Sequence, residues 1–174
     1  VKSVDPNVKV NVVYANSYSD AAKGNMIAKT MIANGSRVIF SAAGSTGNGV
    51  FTSAKQTNQL LDADSKERVY VIGVDMDQYQ DGLFTSKDGK KESATLTSSL
   101  TEVGNALKDT ANKGMAGKFP GGKTVWYGLE DKGVDVTTKN LNDQELKAVN
   151  EAKQGILDGK IKVNANPESY KAEQ

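Results

Sequence analysis

The sequence predicts an α/β fold: a mostly parallel sheet flanked by helices. Three observations predict it. "VKVNVVYA" (8–15), "RVIFSA" (37–42) and "VYVIGVD" (69–75) are short, nearly continuous apolar runs rich in β-branched residues. One helical pattern separates each run from the next. Strands that lack polar alternation and are joined through helices pair in parallel, with both faces covered. The chain is long enough for one domain with a core, at 174 residues and 37% hydrophobic content. Its 22 basic and 21 acidic residues leave no basic footprint for nucleic acid. It has no Cys and no His, which removes thiol chemistry, Cys/His zinc sites and any mechanism resting on a histidine base. No apolar run approaches the ~20 residues of a membrane-spanning helix.

The elements follow in order. "VKSVDPN" reads as the tail of a helix running into a turn, so the chain is expected to be a piece of a longer protein. After the first strand, Ser19 is expected to cap a helix with Asp20 in its first turn. Ile27, Ala28, Met31 and Ile32 form its apolar stripe, and Asn34-Gly35 ends it. The second strand runs into "FSAAGSTGNGVF" (40–51), then a helix marked by Val50, Ala54, Thr57 and Leu61. "DADSKER" is a solvated loop before the third strand. "MDQYQDGLFTSKDGKKES" (76–93) reads as a long polar loop and "ATLTS" as a short strand. Val103, Leu107, Ala111 and Met115 mark a helix that ends in "KGMAGKFPGG". "KTVWYGL" and "GVDV" are further strands. Leu146, Val149, Ala152 and Ile156 mark the last helix, closed by "DGK", before a polar tail from Asn164 that is expected to fray.

Two features carry chemistry. The glycine loop sits where a parallel strand ends and a helix begins, the place where open α/β sheets bind ligands. It is either a tight turn with no ligand, or a rim whose Gly47, Asn48 and Gly49 amides meet a polar group at the positive end of the helix. No Lys-Ser/Thr follows the last glycine, so it is not a P-loop, and the spacing of Gly44, Gly47 and Gly49 misses the dinucleotide fingerprint. The second feature is "GVDMDQYQDG", with Asp75, Asp77 and Asp81 at a strand end. Asp75 either caps the following turn or accepts two hydrogen bonds from the adjacent hydroxyls of a sugar, which suits a ribose. An EF-hand would need Gly and Glu where Gln80 and Ser86 stand. The spacing also resembles the calcium-binding D-x-D-x-x-x-D-D of nucleoside hydrolases, with Gly82 in place of the last aspartate and the motif displaced from the first strand.

Taken in order, "VVYANSYSDAAKG", "VIFSAAGSTGNGVF", "VIGVDMDQ", "LTSSLTEVG" and "GLEDKGVDV" resemble the carboxyl-terminal half of the basic membrane protein family, the PnrA-type substrate-binding lipoproteins of nucleoside ABC transporters. The resemblance implies a type I periplasmic-binding-protein fold, in which two α/β lobes joined by three strands close on a nucleoside. This chain would hold the second lobe in 1–96 and 123–174, with 97–122 crossing toward a first lobe that it lacks together with the lipidated amino terminus. The resemblance further implies that Gly44, Ser45, Gly47 and Asp75 line the ribose side, and that Phe40 is either core or a ring stacked on a purine. Family members often carry Lys in the "LTSxxK" block; here Thr101 stands there, and Ser98 or Thr101 would take over that contact. The residues that read the base sit mostly on the other lobe. The implied partners are a nucleoside and an ABC permease at the outer face of a membrane, with no cofactor, no metal and no turnover. The Val103–Leu107–Ala111–Met115 stripe would be covered by the missing lobe, by another copy or by a rearranged docking. A Ca-dependent nucleoside hydrolase, a sugar- or autoinducer-binding protein and the effector lobe of a regulator are the competing readings.

Overall fold

The computed structural model describes residues 1, 2 and 4–163, so the tail from Asn164 lies outside the described residues. The chain divides into two compact units, residues 1–98 and 99–174.

The first unit holds helix α1 (Ala21–Ala33), strand β1 (Val38–Phe40), a 3-10 turn (Gly44–Thr46), helix α2 (Gly47–Asn58), strands β2 (Tyr70–Asp75), β3 (Leu83–Thr85) and β4 (Lys91–Ser93), and the start of β5 (Thr95–Thr101). β1 and β2 are parallel, with Phe40 opposite Ile72, and β2 lies between β1 and β5. Ala28, Ile39, Phe51, Ala54, Val69 and Val71 form the centre of the core, with Phe84 and Ala94 at its flank. Burying a side chain such as Phe51 is worth about 1.5–3 kcal/mol. α1 and α2 meet through their backbones. A Cβ on Gly49 would lie 1.9 Å from the Ala21 carbonyl oxygen, and one on Gly24 would lie 2.0 Å from that of Thr46. The Ser53 hydroxyl donates to the Asn25 carbonyl at 2.9 Å across the same contact.

Several expectations need correction. Asp20, not Ser19, caps α1: its carboxylate accepts from the Lys23 amide at 2.9 Å. α2 stops at Asn58, short of Leu61, because the Asn58 side chain turns inward and exchanges two 2.8 Å hydrogen bonds with the Val69 backbone. The polar run 76–93 contains the antiparallel β3–β4 hairpin, pairing Phe84 with Glu92. Its short strands bury few residues beyond Phe84, so the sequence shows no apolar run there. "VKVNVVYA" is not a strand: among the described residues, no backbone hydrogen bond ties residues 9–15 to β1, and Val10 and Val12 are exposed. The β-branched composition expresses a preference for pairing, but pairing needs an edge within reach.

The second unit contains the end of β5, helix α3 (Val103–Met115), strand β6 (Val134–Val136) and helix α4 (Asp143–Leu157). β5 pairs antiparallel with β6, Leu100 opposite Asp135. Neither α3 nor α4 buries a residue fully. "KTVWYGL" is not a strand here. The Tyr127 hydroxyl instead donates to Asp109 on α3 at 2.7 Å and leaves Trp126 exposed. α4 opens on a reciprocal cap between Asn142 and Glu145 and is tied to β6 by Lys153 and Asp135 at 2.6 Å.

Candidate functional site

Parallel pairing of β1 with β2 brings their carboxyl ends to one edge of the first unit. Phe40 closes β1 and is 57% exposed. The chain then enters the 3-10 turn through Gly44, whose φ of +54° suits glycine and whose missing Cβ would stand 3.0 Å from the Tyr18 carbonyl oxygen. Thr46, almost wholly buried, locks that approach: its amide donates to the Tyr18 carbonyl at 3.3 Å and its hydroxyl to the Ser17 carbonyl at 3.0 Å. The same hydroxyl accepts from the Asp20 amide at 2.9 Å. Gly44 and Ser45 are exposed at the head of the turn, where the positive end of α2 favours an acceptor group. Gly47 is buried against Ser41, and its amide donates back to the Gly44 and Ser45 carbonyls. It shapes the rim from beneath.

Asp75 ends β2, is exposed, and has a φ of +70°. The Met76 amide donates to the Val74 carbonyl at 2.8 Å, closing a three-residue turn around it. A non-glycine residue at the centre of such a turn is strained, and strain of this kind collects at binding and catalytic sites. Gln78 braces the turn: its side-chain oxygen accepts from the Val74 amide at 2.9 Å, and its own amide donates to the Ser98 hydroxyl at 3.1 Å. Ser98 is therefore a fully buried strut, placed under the turn rather than on the rim. Asp77 and Asp81 are engaged within the loop, accepting from the Tyr79 amide at 2.9 Å and the Gln78 side-chain amide at 3.1 Å. Among the described residues, no group of three or more acidic, His or Cys side chains could hold a metal. Thr101 is exposed at the end of β5, in the second unit.

Sequence reasoning missed Tyr18. The residue is 78% exposed and its backbone is clamped to the glycine turn, so it is an aromatic surface held in place at the rim. Asn16, two residues before it, has a φ of +51°. "ANSYSD" reads as the approach to a helix cap, and the one available signal was an aromatic set among small polar residues where a cap alone needs none.

Three comparisons bear on this geometry. A family model described as "ABC transporter substrate-binding protein PnrA-like" matches residues 1–167. The ABC transporter nucleoside-binding protein BmpA of Lactococcus lactis is 46% identical over 162 residues, 93% of this chain and 46% of that protein. The CD4+ T-cell-stimulating antigen of Listeria monocytogenes is 45% identical over 169 residues, 96% of this chain and 46% of the antigen. The chain thus spans about half the length of the curated relatives it matches. Among solved structures, a solute-binding protein of an ABC transporter system from Aeropyrum pernix aligns with a TM-score of 0.69 at 20% identity, covering 97% of this chain and 52% of the other. That likeness is one of fold.

Proposed function

Because the chain belongs to the family of PnrA-like ABC transporter substrate-binding proteins, we propose that it supplies one wall of a nucleoside-binding cleft for uptake through a membrane permease. The observation that carries this reading is Asp75, exposed in a strained turn on the strand edge it shares with the glycine rim. Its carboxylate accepts two charge-assisted hydrogen bonds from the ribose hydroxyls. Gly44 and Ser45 offer bare main chain to the remaining ribose oxygen, while the exposed rings of Phe40 and Tyr18 give the base apolar faces. Gly47 and Ser98 act through the shape of the rim.

The rest of the cleft belongs to the part of the protein beyond this chain. The exposed Val103, Leu107 and Met115 of α3 are the surface on which that part docks. Retention at the outer face of the membrane through a lipid anchor, and delivery without chemical turnover, complete the proposal. The hydrolase reading loses ground because Asp77 and Asp81 are taken up by their own loop.

The test is calorimetric titration of the full-length protein with inosine, adenosine, cytidine and ribose. Tight binding of a purine nucleoside is expected. Asp75→Asn should weaken it by roughly 10- to 100-fold, the value of a hydrogen bond to a charged group. A protein that binds none of the nucleosides would dismiss the assignment, and release of free base from inosine would replace it with the enzymatic one.

A further inference from the structure

A strained backbone persists only where its surroundings over-determine it. At Asp75, whose φ is +70°, one hydrogen bond from the Met76 amide to the Val74 carbonyl closes the turn, and something more must hold it closed. The side chain that reaches the turn is Gln78. Its Oε1 accepts from the Val74 amide at 2.9 Å, and its Nε2 donates to the Asp81 carboxylate at 3.1 Å. Its main chain is fixed as well. The amide donates to the buried Ser98 hydroxyl at 3.1 Å, and the carbonyl accepts from the Thr95 hydroxyl at 2.9 Å.

We propose that Gln78 is the positioning residue of the candidate site: its side-chain amide locks the Asp75 turn in the conformation that presents the carboxylate to the ribose. The ligand in this statement rests on the proposed function; the lock itself does not. Chemistry supplies the first argument. The position needs an acceptor for the Val74 amide and a donor for the Asp81 carboxylate at once, and those partners fix which way the amide points. An ionised Glu has no donor, Lys and Arg have no acceptor, and Asn is one methylene shorter.

Packing supplies the second argument. Gly73 is buried, and a Cβ on it would stand 2.7 Å from the Ser98 hydroxyl oxygen and 2.8 Å from Oε1 of Gln78. β2 therefore leaves out a side chain at the point where Gln78 meets it. Topology supplies the third. Thr95 and Ser98 lie on β5, the neighbour of β2 in the sheet, so Gln78 refers the Asp75 turn to a second strand and not only to its own loop.

Two variants of the full-length protein test this, one of them with a proton as the probe. Gln78→Met removes both side-chain bonds. Without ligand, its Val74 and Met76 amides should exchange at least about ten-fold faster by NMR, while Val69 and Val71 keep their protection and show that it is folded. Gln78→Glu sets a second carboxylate against Asp81, which raises the pH at which one of the two takes up a proton. The other groups around it are Asp75, Asp77 and Tyr79 in its own loop and the hydroxyls of Ser93, Thr95 and Ser98 from β4 and β5. In calorimetric titrations with inosine, Gln78→Met should bind about ten-fold or more weakly than wild type at both about pH 8 and about pH 5. Gln78→Glu should be as weak at about pH 8 and recover most of the wild-type affinity at about pH 5, where its protonated carboxyl again both accepts and donates. A strut that merely steadied the loop would lower the denaturation midpoint of both variants and leave both affinities at the wild-type value, which overturns the proposal. So does a Gln78→Glu affinity that stays low on acidification while that of the wild type holds. Unchanged exchange of Val74 and Met76 in Gln78→Met overturns the lock whatever the ligand does. A wild type that binds no nucleoside dismisses the proposed function, and the exchange measurement still decides the lock.

Discussion

Asp75 sits where a strand must stop and where its backbone is least comfortable, at φ +70°. Asparagine tolerates the same conformation, so Asp75→Asn should leave the denaturation midpoint close to wild type while it weakens nucleoside binding. A β-branched residue there should cost both, because its Cβ clashes in the left-handed region. Asp88 shows a different use of a carboxylate. The Ser86 hydroxyl at 2.5 Å, then Lys90 and the Ala63 amide, hold its pKa down from an ordinary 3.8 to about 2. This ties the loop before β2 to the β3–β4 turn. A depressed folded-state pKa stabilises above the unfolded value and loses that contribution as pH falls through the folded one. The gap in stability between wild type and Asp88→Asn should therefore hold steady above about pH 4, shrink on acidification and be largely gone by about pH 2. Urea melts across that range would read it, and a gap independent of pH would show that Asp88 contributes no charge-dependent stability.

Among the elements, the α1–α2 crossing decides where the glycine turn stands, because it fixes both helices to the chain on either side. Gly49→Ala forces a methyl group into the Ala21 carbonyl. It should cost about 2–3 kcal/mol, at the upper end for overpacking. Gly104→Ala on α3 meets nothing within 4 Å and should stabilise by about 0.4–1 kcal/mol through the unfolded chain. Thermal melts of the pair would separate helix propensity from helix contact. If Gly49→Ala melts like the wild type, the backbone contact does not position the rim. The elements also show what was legible. The α3 stripe from Val103 to Met115 gave that helix its limits, and the apolar runs of β1 and β2 stood out in the same way. The β3–β4 hairpin did not, since only a few of its residues face the core, and the inward turn of Asn58 that ends α2 has no local signature.

For the molecule as a whole, the two units differ in how much they bury. The first has a core in which Phe51, Val69 and Val71 are almost fully enclosed; the second has two amphipathic helices with no fully buried residue. Exchange of the α3 and α4 amides in this chain alone should outpace that of β2, and the docking proposed above on Leu107 and Met115 should slow it in a full-length protein. Equal protection of both units in the isolated chain would mean that the α3 face needs no such cover.

What the sequence by itself determined was chemistry confined to neighbours in the chain. The apolar runs of β1 and β2 specified strands, the 3.6-residue spacing specified helices, and the order of its motifs pointed to the family. Tertiary structure alone decided which side chains reach the rim. Tyr18 is there because Thr46, 28 residues later, holds its backbone, and Ser98 is not because it lies buried beneath the turn, where its hydroxyl accepts from the Gln78 amide. The physical reason is the same in both cases. A hydrogen bond between residues far apart in the chain leaves no periodicity to read, and only the folded backbone determines which of two polar groups meets water and which meets its partner.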